Sequence, residues 1–272
     1  MKRVFCFVYC LLLPTVCFAE FPNKTEELSP AGMPAFEKGE SAYVDKITRA
    51  PRSQLNYSIK RTREGTSTVY HLNCFGKGDW DKFTNVSCSA YAKLEERDGC
   101  LYPTYTSLII QDAQGNEVVT YEKIFDYQGK NILWQEIDGK GRSVRSASFP
   151  LKGRTVDDIT LSYFLRVYAA HRDQPAFNDY YFLTNEPRLF HINIKLKGEE
   201  ELSLPAGKEA AAKLKLVTDI GFTEKVMDRL FPASYIWYEA QPPYGWLQYE
   251  GLETRLGSAE VTSFLTKRDY KP

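Results

Sequence analysis

Residues 117–150, EVVTYEKIFDYQGKNILWQEIDGKGRSVRSASFP, decide the fold class. Three strand-like runs, 117–127, 130–138 and 142–149, are rich in Val, Ile, Tyr, Phe and Trp, which fit pleated, half-buried surfaces. Compact links part them, Tyr127-Gln-Gly129-Lys130 and Asp138-Gly139-Lys140-Gly141. Short strands joined by such turns predict a meander of antiparallel hairpins. The same grammar extends towards the N-terminus through TYTSLIIQD (104–112), SCSAYAKLEER (87–97), STVYHLNC (67–74) and YSIKR (57–61). It resumes downstream in DYYFLT (179–184), RLFHINIKL (188–196), KLKLVTDI (213–220), YIWYEA (235–240), GWLQYEG (245–251) and EVTSFLT (260–266).

Between these two blocks the period changes. In 155–171, TVDDITLSYFLRVYAAH, the apolar residues Ile159, Phe164, Val167 and Tyr168 fall near helical spacing. Thr155 or Asp157 is placed to cap the first turn, with the Asp157–Asp158 pair favoured by the helix dipole. Segment 223–230 reads equally as a helical turn or an amphipathic strand. The expected fold is therefore mainly β: a strongly curved antiparallel sheet, a half-open barrel, with one central amphipathic helix on its concave side.

Residues 1–19, MKRVFCFVYCLLLPTVCFA, follow signal-peptide grammar. Lys2 and Arg3 precede an apolar run, and Cys17 and Ala19 stand three and one residues before a cut that leaves Glu20 first. The apolar run is shorter than the roughly 20 residues of a spanning helix, which argues against an uncleaved anchor. Val16 before Cys17 argues against a lipoprotein anchor there. Residues 20–52, with several prolines, read as an extended leading segment in which SAYVDKI (41–47) is a candidate strand. Residues 53–272 read as a single β-rich domain, and no later segment is apolar enough to span a membrane. The expected location is periplasmic or secreted. With 35 basic and 35 acidic residues, loss of Lys2 and Arg3 leaves the chain two charges acidic, without the footprint of a nucleic-acid binder.

Of six cysteines, Cys74, Cys88 and Cys100 follow the leader. Cys74 ends one strand-like run and Cys88 opens the next, so a Cys74–Cys88 disulfide is the first expectation and Cys88–Cys100 its rival. No zinc spacing accompanies them, and His71, His171 and His191 have no ligand-spaced partners, so no metal or cofactor is expected. Nucleophile elbows and phosphate-cradling glycine motifs are absent, and no catalytic residue stands out. Asp157 and Asp158 are adjacent, which points helix side chains about 100° apart and favours capping over paired acid–base work.

The most unusual stretch is 231–249, FPASYIWYEAQPPYGWLQY, with seven aromatics split by Pro242-Pro243-Tyr244-Gly245. Tyr235, Trp237 and Trp246 are expected on one face of a hairpin, with Tyr238 and Tyr249 on the other. Such a face is either a greasy ligand platform or a cross-strand core ladder. With Phe164 and Tyr168 of the helix, these three make the ligand-facing set.

An ordered series of features links this chain to a known group. The hairpin YEKIFDYQGKNILWQEID (121–138) comes first, then the acidic helix start with Leu161-Ser162 and Leu165-Arg166. Gly198-Glu-Glu, Leu204-Pro205-Ala206-Gly207 and KLKLV follow, and Tyr249-Glu250-Gly251 and Gly257-Ser258-Ala259-Glu260 close it. Over roughly 56–265 the chain resembles exported bacterial proteins of a family of unknown function, whose curved β-sheets are related to those of outer-membrane lipoprotein carriers. The cysteines and the Pro-Pro-Tyr-Gly turn depart from that pattern. The resemblance implies a half-open barrel with an apolar concave face, compatible with a lipid, lipoprotein or envelope-protein partner. It implies no catalytic residues. The functional expectation is a non-enzymatic envelope protein that binds an apolar ligand or a partner on that face. Its alternatives are a structural or adaptor module with a fully packed core, which an empty concave cavity would argue against, and a hydrolase of envelope polymers, which needs two converging carboxylates.

Overall fold

The computed structural model describes residues 34–97, 100–171, 179–219, 233–253 and 258–271; the leader (1–19) and segment 223–230 lie outside the described residues. The first half comprises β1 (Phe36–Asp45), β2 (Pro51–Glu64), β3 (Ser67–Trp80), β4 (Phe83–Arg97), β5 (Cys100–Gln111), β6 (Glu117–Asp126), β7 (Asn131–Asp138) and β8 (Ser143–Pro150). The short β9 (Thr155–Asp157) and α1 (Leu161–Ala170) follow. The second half comprises β10 (Asp179–Leu183), β11 (Leu189–Leu204), β12 (Gly207–Asp219), β13 (Ser234–Glu239), β14 (Trp246–Leu252) and β15 (Glu260–Lys271).

Among the described residues these fifteen strands form one sheet, ordered β8-β7-β6-β5-β4-β3-β2-β1-β15-β14-β13-β12-β11-β10-β9. Each half is a meander, as the turn spacing predicts, and the halves join where β1 pairs with β15. All pairings are antiparallel except β9 with β10. The leading segment thus supplies a ten-residue strand at the centre of the sheet, longer than 41–47 alone. Its inward positions include Glu37, Gly39 and Ser41, which carry no apolar signal, yet Glu37 and Ser41 are buried.

The sheet curls until its outer parts meet through side chains. Leu183 of β10 packs with Phe125 of β6 and Ile132 of β7, all buried. Asp157 of β9 receives Lys123 of β6 at 2.9 Å and Thr106 of β5 at 2.6 Å. Within the curl lies α1, whose Phe164, Leu165, Val167 and Tyr168 pack against Tyr70 and Leu72 of β3, Leu94 of β4, Ile194 of β11 and Leu214 of β12. The expected half-open barrel with one central helix is what forms, although the helix is shorter than 155–171. Thr155 and Asp157 belong to β9, and the helix begins after Thr160. Tertiary contacts override the capping reading here. Asp157 Oδ1 accepts the Thr160 N–H (3.1 Å) and hydroxyl (2.7 Å), while its Oδ2 is held by Lys123.

The expected Cys74–Cys88 bridge is not made, and both thiols are free. The β3–β4 hairpin runs on to a turn at Asp81-Lys82, so Cys74 faces Ala90 and Cys88 faces Gly76. That leaves the two residues diagonal across the ladder, about 7–8 Å apart, beyond the roughly 4.4–6.8 Å Cα separation a disulfide spans. Cys100 lies opposite Arg97 while Cys88 lies opposite Ile110, so the rival pair sits at two ends of the β4–β5 ladder.

Candidate functional site

The helix does not fill the curl. Between α1, strands β1–β5 and strands β10–β15 lies a cavity of about 420 Å³, at the lower end of the roughly 300–1,000 Å³ typical of ligand pockets. Its wall is mostly apolar, with Leu55, Ala90 and Leu108 on one side, Ile159 and Leu161 at the helix start, and Phe182, Ile192, Leu216 and Ile236 opposite. Tyrosines and tryptophans (Tyr43, Tyr163, Tyr238, Trp80, Trp246, Tyr249) complete it. Two of the tyrosine hydroxyls are tied to backbone carbonyls. Tyr238 donates to the Ser162 carbonyl at 2.6 Å and Tyr249 to the Leu252 carbonyl at 2.7 Å. Burial pushes the Tyr249 phenol up to about 12. Burial likewise raises the Cys74 thiol to about 12 and the Cys88 thiol to about 11, Cys88 with help from Glu253, so both behave as wall rather than as nucleophiles.

Three charged arrangements interrupt this surface. Glu37 of β1 binds Arg166 of α1 at 2.7 Å, with both side chains buried, and accepts the Tyr57 hydroxyl at 2.8 Å. Arg166 Nε also donates to the Pro243 carbonyl at 2.8 Å, tying helix, first strand and the β13–β14 turn together. The Tyr57 ring reaches Glu37 by lying directly over Gly39, where any Cβ would collide with it. Glu253 binds Arg52 at 2.9 Å and accepts the Asp81 N–H at 3.0 Å; burial raises its carboxyl despite Arg52.

The third arrangement surrounds Lys123. Its ammonium donates to Asp157 at 2.9 Å and to the Asn185 side-chain oxygen Oδ1 at 2.7 Å, and lies 3.7 Å from Asp158. Burial works against the charged form of Asp157, but Lys123 and the hydrogen bonds from Thr106 and Thr160 hold its carboxyl below the usual range. Asp158 goes the other way. Burial pushes it up to about 6 against the pull of Lys123, and Asp157 adds repulsion. Asp158 lines the cavity, and its Oδ2 is buried without a hydrogen-bond partner.

The expected ligand-facing set divides. Trp246 lines the cavity. Phe164 packs in the core and borders a separate small cleft beside Tyr102 and Arg154. Tyr168 is buried in the core. Tyr235 and Trp237 occupy the other face of the β13–β14 hairpin, where Lys213 sits 5.0 and 4.8 Å from their rings and Trp237 Nε1 donates to Glu200 at 2.6 Å. The cause is a register shift between Trp237 and Tyr238, which sets Trp246 opposite Tyr238 instead of beside Trp237. Tyr238 and Tyr249, expected on the far face, are cavity wall. Sequence reasoning missed Glu37, Lys123 and Glu253; Asp158 was visible only as half of a capping pair.

No family model and no curated protein matches this chain. Similar solved structures include a β-barrel-like protein of the domain of unknown function DUF1849 from Brucella abortus (9% identity, TM-score 0.47, covering 88% of this chain and 98% of that one). Others are a candidate lipoprotein from Parabacteroides distasonis (10% identity, TM-score 0.37, 89% and 98%) and a candidate exported protein with a YmcC-like fold from Bacteroides fragilis (10%, 0.37, 88% and 97%). Among the described residues no helix is long and apolar enough to cross a membrane.

Proposed function

We propose that this is an exported envelope protein that binds one apolar ligand, of the size of a single acyl chain, between α1 and the curved sheet. The carrying observation is the cavity of about 420 Å³ walled by aromatic and aliphatic side chains. Unfilled apolar space of this size costs a folded protein dispersion contacts and cavity free energy, about 20 cal/mol per Å² of surface. A packed adaptor core has no use for it. Asp158 and Glu253 both line the cavity, but Glu253 is committed to Arg52 at 2.9 Å and to the Asp81 N–H at 3.0 Å, so the two carboxyls do not make a free acid–base pair, which favours a binding role over hydrolysis of a polymer. The export reading rests on the signal-peptide grammar of residues 1–19.

The test is native mass spectrometry of the mature, delipidated chain mixed with long-chain alcohols, fatty acids and a phospholipid. The reading predicts saturable one-to-one binding of at least one of them; no adduct with any would overturn it.

A further inference from the structure

Resting on that ligand reading, we infer that the cavity selects an apolar chain whose polar end donates a hydrogen bond, a hydroxyl or an amine, to the carboxyl of Asp158. Lys123 is the group that would ordinarily satisfy Asp158, but its donors are directed to Asp157 Oδ2 and Asn185 Oδ1, at 2.9 and 2.7 Å. It reaches Asp158 only at 3.7 Å. One Asp158 oxygen is left buried with no hydrogen-bond partner. A buried polar atom left in that state costs about 1–3 kcal/mol, and a donor arriving with the ligand removes the cost. Rotation about the terminal torsion of an aspartate is soft, so either oxygen can serve.

The wall around this carboxyl is built for a chain. Ile159 and Leu161 flank it on the helix side, and Phe182 and Tyr249 line the same cavity. An ester or methyl end offers Asp158 no donor. A carboxylate end would add a third negative charge beside Asp157 and Asp158, with Lys123 already engaged. The groups facing Asp158 from its neighbours are Lys123 on β6, Asp157 on β9, the Asn185 N–H after β10 and Tyr249 on β14. Asp158 is the member of this set that loses its charge near pH 6. An ammonium ligand therefore gains an ion pair from an ionised Asp158 above that pH and loses it below, whereas an alcohol keeps a hydrogen bond, weakened from a charged to a neutral one.

The experiment is calorimetric titration of the mature chain with dodecanol, dodecylamine, methyl dodecanoate and dodecanoate at pH 8 and pH 5. At pH 8 the alcohol and the amine should bind at least about tenfold more tightly than the ester, the ratio expected for one hydrogen bond to a charged acceptor, with dodecanoate weakest. At pH 5 the amine should lose its advantage. Asp158→Ala should bind alcohol, amine and ester alike. Asp158→Asn, which keeps an acceptor and its shape, should retain the alcohol and lose the amine. Ester or dodecanoate binding as tightly as the alcohol overturns the inference and leaves the ligand cavity standing, as does a ranking that Asp158→Ala does not change. Binding of none of the four overturns both.

Discussion

Replacing Asp158 with Asn should make the protein more stable at neutral pH, although the substitution removes a charge 3.7 Å from a lysine. The folded protein holds the Asp158 carboxyl at about 6 instead of its ordinary 3.8. A carboxyl raised on folding favours the protonated form, so its contribution is fully present below the unfolded value near 4 and is lost as pH rises through about 6. Two pH units at 1.36 kcal/mol each set a ceiling of about 3 kcal/mol. The side chain keeps 21% of its surface open, and an amide cannot use the Lys123 attraction, which reduces the expected gain to about 1–2 kcal/mol at pH 8. At 2–4 °C per kcal/mol for a domain of this size, Tm should rise by about 3–6 °C. Urea unfolding followed by tryptophan fluorescence at pH 4, 6 and 8 measures it, and the difference between variant and parent cancels the titrating groups that are not coupled to Asp158. The variant should match or fall below the parent at pH 4 and exceed it at pH 8. A difference that does not change with pH, or a variant less stable at pH 8, would refute the reasoning.

Lys123→Met should cost about 3–5 kcal/mol, because it strands the buried Asp157 carboxylate, and urea midpoints at pH 8 will register the loss. Glu37→Gln keeps the shape but removes the charge facing Arg166; hydrogen exchange should show α1 amides losing protection before those of β3 and β4. Gly39→Ala drives a methyl group into the Tyr57 ring and should destabilise by about 1–3 kcal/mol, seen as a lower Tm, whereas Gly65→Asn at the exposed β2–β3 turn should change little. In a Cys100→Ser background the native protein should resist a thiol reagent at pH 8 and react at two sites in urea; rapid native labelling would contradict the burial of Cys74 and Cys88.

Alternation and turn chemistry made nearly every strand legible, because each reports one buried and one open face locally. β1 was the exception in extent. Its inward side carries Glu37, Gly39 and Ser41, and burial of Glu37 depends on Arg166, more than a hundred residues away. The helix was legible from Ile159, Phe164, Val167 and Tyr168, but its start was not, since Asp157 is drawn into β9 by Lys123 on the opposite half of the sheet. The faces of the aromatic hairpin were not legible, because one residue of register shift turns Trp246 towards the cavity. The cavity itself has no local signature. Its wall is collected from α1 and strands of both halves, and the partnership that strands an oxygen of Asp158 exists only once β6 and β9 meet.

Filling the cavity tests the central claim most directly. Ala90, on the cavity wall, tolerates a larger side chain only by occupying that space. Native mass spectrometry of the parent and of Ala90→Phe with dodecanol should show one bound chain on the parent and none on the variant, at equal thermal stability. Equal binding by both, or binding by neither, would contradict a ligand held between the helix and the sheet.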